Sequence, residues 1–135
     1  QAIQMASSGY QVIIGAFINI TAVTEYLKAM NRDVLILCAG WKSKFNLEDT
    51  LFAGALSEKL LPEENYETIC DSTLAALDLW KMAKPNLLKY VDKVAQRHRL
   101  KKNNLDDVID YCHQHDLTDI IPVLNNDTVI KLDNG

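Results

Sequence analysis

Cysteine is scarce in this chain, and the few that occur are not spaced to work together. The three, Cys38, Cys70 and Cys112, are odd in number and form no C-x-x-C pair. That argues against a structural zinc site and a disulfide framework, and a reducing cytoplasm fits best. Long apolar runs are also missing. The stretches 12–18 and 34–39 are the longest, far short of the roughly 20 residues that span a bilayer. Positive charge is in deficit, with 14 Lys and Arg against 18 Asp and Glu and a net charge of -4. Nothing global therefore attracts nucleic acid or an anionic membrane. No glycine-rich phosphate loop, G-x-S-x-G elbow or H-E-x-x-H pair occurs, which disfavours the common nucleotide-binding and hydrolase families. The first residues carry neither a Met nor a charged n-region, so no signal peptide is expected.

What is present suits one compact domain. The chain has 135 residues, of which 48% are hydrophobic and 24% charged, enough for a real core but not comfortably for two. Gln1 to Gly9 reads as the last turns of a helix closed by a C-cap glycine. A start in mid-helix leads to the expectation that the chain is a fragment.

The run Tyr10 to Phe17 is nearly all apolar, as a strand buried on both faces should be. Asn19 can cap a helix over 20–30, with Ala22, Val23, Tyr26 and Leu27 on one face. Val34 to Ala39 predicts a second buried strand, and Asn46 the cap of a helix over 47–61. From Asp71 to Arg99 the pattern is helical, broken at Lys84-Pro85-Asn86 by proline. Asn104 can cap a helix to about His115, and 120–132 reads as a hairpin with Asn125-Asn-Asp-Thr128 as its turn. The expectation is a single α/β domain over 1–135. Its sheet would be mostly parallel, with helices on both faces and a C-terminal β-hairpin.

In such a sheet, ligands sit beyond the carboxyl ends of the strands. That geometry directs attention to Gly40 and to Glu48 and Asp49, which open the helix after the second strand. Asn46-Leu-Glu-Asp49 is also a plain capping sequence, and its two acids favour the positive helix end by about 0.3–1 kcal/mol each. Asn104-Leu-Asp-Asp107 has the same spacing after the solvated Lys101-Lys102-Asn103, so capping alone explains either pair. The strand and Gly40 upstream distinguish the first. Paired carboxylates suit a hard cation such as Mg²⁺, which also takes water and substrate phosphate. Asn19 falls in the same layer as Gly40, with helix capping as its ordinary role. Lys42 and Lys44 could meet an anionic substrate, although solvated loop lysines are the usual outcome. Cys38 lacks the following arginine that a cysteine phosphatase needs and reads as an inert core thiol. Arg97-His98-Arg99 with Lys101-Lys102 is a basic cluster better explained by a helix C-terminus. His113 and His115 fall on different helix faces and make a poor metal pair.

Val34-Leu-Ile-Leu-Cys-Ala-Gly40 followed by Phe45-Asn-Leu-Glu-Asp-Thr-Leu-Phe-Ala-Gly-Ala55 closely resembles the 2-phosphosulfolactate phosphatase family. Gly15-Ala-Phe-Ile-Asn-Ile-Thr-Ala22, His98-Arg-Leu100, Asp107-Val-Ile-Asp-Tyr-Cys112 and Ile121-Pro-Val123 resemble further family segments. The resemblance covers essentially the whole chain and implies that it is the C-terminal half of such a protein. An N-terminal half, with an Asp- and Arg-bearing motif, would lie outside it. The resemblance further implies Mg²⁺-dependent removal of phosphate from 2-phospho-3-sulfolactate, a step towards coenzyme M. Glu48 and Asp49 inherit catalytic and metal roles, Asp49 first for magnesium, and Asn19, Gly40 and Lys42 inherit substrate contacts. The expected partners are a small anionic phosphate ester and the missing half. Nucleic acid and membrane are not expected, and homo-oligomerisation stays open. The isolated chain is expected to be inactive. The competing expectation is a non-catalytic small-anion binding or assembly domain.

Overall fold

The computed structural model describes residues 3, 6, 9–105 and 107–132. Most of the expected helix over 1–9, and Asp106, lie outside the described residues. After an extended segment to Ala16 comes a 3-10 turn, Phe17–Asn19, and then α1, Ile20–Met30. A second extended segment leads to α2, Leu47–Leu60, followed by α3, Asp71–Ala83. A 3-10 turn, Lys84–Asn86, carries the proline and opens into α4, Leu87–Val91. Then come α5, Ala95–Lys102, and α6, Asp107–Cys112, and a hairpin of β1, Pro122–Asn125, with β2, Thr128–Lys131.

The central element is α2. Thr50, Leu51, Ala53, Gly54, Ala55, Leu56, Ser57 and Leu60 are all buried, the pattern of a helix covered nearly all round. Asn46 caps it as expected, its side chain accepting the Glu48 N–H at 2.9 Å. α3 crosses it closely at Gly54. A Cβ there would collide with the Ala76 carbonyl oxygen and lie 2.7 Å from the Trp80 Cβ. Around this contact Phe17, Ile20, Val23, Leu51, Leu56, Trp80, Val91, Ile121 and Val123 form one apolar core.

α1 has the expected bounds but a different cap. The Asn19 side chain makes no capping bond. Instead Asp116 reaches across the chain, accepting the Thr21 N–H on Oδ1 and the Thr21 hydroxyl on Oδ2, both at 2.8 Å. The other end closes on Asn31, left-handed at φ 48°, whose N–H bonds the Leu27 carbonyl.

The expected mostly parallel sheet is not found. The sheet among the described residues has two antiparallel strands, β1 and β2, in the register Pro122 to Lys131 and Asn125 to Thr128. The segment 10–16 is extended but contributes only an isolated antiparallel bridge, Ile13 to Val123. Val34 to Ala39, expected as a buried strand, is extended and largely exposed, Leu35 at 91%. The reason is that a strand exists only when another backbone pairs with it, whereas composition shows only that a segment would accept a partner. Cys38 likewise is exposed and not a core thiol. None of the described helices is long and apolar enough to cross a membrane.

Candidate active site

Gly40 ends the second extended segment at φ +67°, and a Cβ on it would approach the Lys44 carbonyl oxygen to 2.7 Å. Glycine is therefore needed twice, for its left-handed backbone and for want of space. The turn it enters is tight: the Trp41 N–H bonds the Lys44 carbonyl at 3.1 Å, and the Lys44 N–H returns to Trp41 at 3.0 Å. Lys42 and Ser43 at its tip are both left-handed, φ 51° and 59°, and both exposed.

The turn brings the Gly40 N–H to Asp49, which accepts it on Oδ2 at 2.6 Å. Short bonds of this kind are expected of an ionised acceptor. One Asp49 oxygen is thereby fixed by backbone. Glu48 lies one residue away, its side chain 21% exposed, with Oε1 3.9 Å from Nε2 of His113. Burial pushes the Glu48 carboxyl above the usual range; the His113 side opposes this, the Asp49 charge adds to it, and Arg99 counters it. His113 is itself oriented, its Nδ1 lying 2.8 Å from the Ile109 carbonyl. Only a protonated nitrogen can make that bond, so in the neutral ring Nε2 presents its lone pair towards Glu48. The Arg99 guanidinium lies 4.9 Å over the Trp41 ring, a cation–π placement. Partial burial and then the Asp49 charge raise the Cys38 thiol, with Thr50 opposing them, so a thiolate is disfavoured there.

Glu48, Asp49, Cys112 and His113 are among the residues that line a trough of about 880 Å³. Asn19 stands apart from this group. It is buried, its Oδ1 accepts the Ala16 N–H at 2.8 Å, and its Nδ2 donates to the carbonyls of Ile14 at 3.3 Å and Ile120 at 2.9 Å. So the structure brings Gly40, Glu48 and Asp49 together, places Lys42 on the turn tip, and engages Asn19 with backbone. Sequence reasoning passed over His113 and Arg99 as site neighbours. No local signal could have found them, because they arrive from α5 and the end of α6, 50 or more positions downstream.

The profile of the 2-phosphosulpholactate phosphatase family matches residues 1–127. The chain belongs to that family. Among similar proteins, one from Caldanaerobacter subterraneus subsp. tengcongensis, named a probable 2-phosphosulfolactate phosphatase, is 33% identical over 96% of this chain and 53% of its own length. Proteins of the same printed name from Gloeothece citriformis and Cyanothece sp. are 33% and 31% identical, each over 91% of this chain and 52% of their own length. The chain thus spans about half the length of the curated relatives it matches.

Proposed function

We propose that, in the whole protein, this chain supplies the Glu48–Asp49 side of a Mg²⁺-dependent phosphatase site. The reaction is hydrolysis of 2-phospho-3-sulfolactate, or a similar small anionic phosphate ester, to the alcohol and phosphate, in the cytoplasm and of the coenzyme M biosynthesis type. The observation that carries the reading is the pairing of Asp49 with the Gly40 N–H, with Glu48 beside it in the lining of a trough, in a chain of this family.

Magnesium suits this donor set. It is held through one or two carboxylates and completes its oxygen shell with water and substrate phosphate. Asp49 has one oxygen tied down and the other available, so its orientation is settled before any ion arrives. Glu48 ionises against burial, and a cation beside it would offset that cost. When bound, the metal offsets phosphate charge and polarises the P–O bond. The protein's own groups do the rest. The Gly40 amide orients Asp49, His113 faces Glu48 and limits its movement, and Arg99, braced on Trp41, adds positive charge towards a dianionic ester. The residues outside this chain would complete the site.

The test is Asp49→Asn in the whole protein, beside Glu58→Gln as a control. Glu58 accepts from the Trp80 indole at 2.8 Å and from Lys84 at 2.9 Å, a structural role. Asp49→Asn should lower Mg²⁺-dependent turnover on the order of 100-fold with little change in melting temperature. Glu58→Gln should lower the melting temperature and leave turnover intact. If Asp49→Asn keeps full turnover, the pair only caps its helix and the chain serves binding or assembly.

A further inference from the structure

Residues 33–39 form an apolar stretch in search of a neighbour. Among the described residues, no backbone N–H or carbonyl of 33–39 takes part in a hydrogen bond. Leu35 is 91% exposed and Leu37 40%. Facing them is the segment 10–16. It uses one edge on the hairpin, through the Ile14 N–H to Pro122 at 2.8 Å and the Leu124 N–H to Val12 at 2.9 Å. Here too apolar side chains stand open, with Tyr10 80% and Ile14 37% exposed. Both segments line the same 880 Å³ trough, whose floor is built by Val23, Tyr26 and Leu27 of α1 with Phe52 and Leu56 of α2. An unpaired apolar edge of this length is a template for strand addition and, left bare, an aggregation site.

We propose that the trough seats an extended, apolar segment from the part of the same protein that lies outside these 135 residues, paired backbone to backbone with residues 34–38. Three observations select this occupant. The relatives are about twice as long as this chain, so a covalently attached source exists in proteins of this kind. Among the described residues, the charged side chains that line the trough are Arg32, Asp33, Glu48 and Asp49, against a larger apolar set that includes Val12, Ile14, Leu35 and Leu37, so it calls for a largely uncharged segment. Seven residues at about 3.3 Å each give roughly 23 Å, the length of an ordinary strand. The proposal rests on the protein continuing beyond these residues and not on its being a phosphatase.

The experiment uses the protein encoded by the complete gene. Hydrogen exchange should show the amides of 34–38 exchanging on the order of 100-fold more slowly than those of the loop 67–69. A photoreactive benzophenone side chain in place of Leu35 should cross-link, within one molecule, to a residue outside 1–135. Exchange as fast as the loop overturns the proposal. So does a cross-link confined to 1–135, one to a second copy, or none. Each readout is independent of phosphatase activity, so failure here leaves the catalytic reading to its own test.

Discussion

Glu48 and Asp49 are neighbours in sequence with different circumstances. Asp49 is held by an amide, while Glu48 is pressed into a half-buried place that disfavours its charge. The consequence for stability has a definite sign. A carboxyl whose folded pKa is raised contributes stability below its unfolded pKa, about 4.3, and loses it as pH rises through the folded value. At neutral pH, then, ionised Glu48 opposes folding. Glu48→Gln should melt at a higher temperature than the native protein at pH 7, and the gain should vanish near pH 4, where both side chains are neutral. Paired thermal melts at the two pH values check this; a gain equal at both, or a loss at pH 7, would refute it. A residue that costs the fold something when ionised is what a site for a cation would contain.

At the scale of elements, what was legible is what is local. Asn46 announces α2, Lys84-Pro85-Asn86 announces the break after α3, and Asn125-Asn-Asp-Thr128 announces the hairpin, because each is a short-range arrangement of backbone donors and turn residues. The stretches 10–16 and 34–39 carry the composition of strands, yet pairing is a property of two segments, and composition speaks for one. The cap of α1 was hidden likewise: Asn19 is the right residue type in the right place, but Asp116 does the work. Two outcomes follow. Asp116→Ala should cost about 0.5–2 kcal/mol, read by denaturant unfolding, and Thr21→Val should lose part of the same energy. Gly54→Ala sets two effects against each other, a helix-propensity gain of about 1 kcal/mol and overpacking of about 1–3 kcal/mol. Since the new carbon meets the Ala76 backbone, which cannot rotate away, overpacking should win. A melting temperature equal to or above that of the native protein would refute it.

For the whole molecule, family membership and half-length coverage together set the expectation for activity. The 135 residues alone should show no Mg²⁺-dependent phosphatase turnover, whereas the complete protein should. Phosphate release from 2-phospho-3-sulfolactate by each checks this, and turnover by the short chain would refute it. Two carboxylates and an oriented imidazole line the trough, and on the proposed reading they make up one part of the site.

The bond from Thr21 to Asp116 also has a bearing on the order of events at the ribosome. Its partners are 95 positions apart. At about 5–20 residues per second, the carboxylate emerges roughly 5–20 s after the helix it caps. Two further links close at the same time: the Asp116 N–H to Phe17 and the Thr118 N–H to Ile18, at 3.1 Å and 3.0 Å. Until then the first turn of α1 has its amides open to water, and nascent α1 can fray from that end. The beginning of this chain therefore waits for its end, and a pause in translation between the two would prolong the interval in which its apolar face lies uncovered.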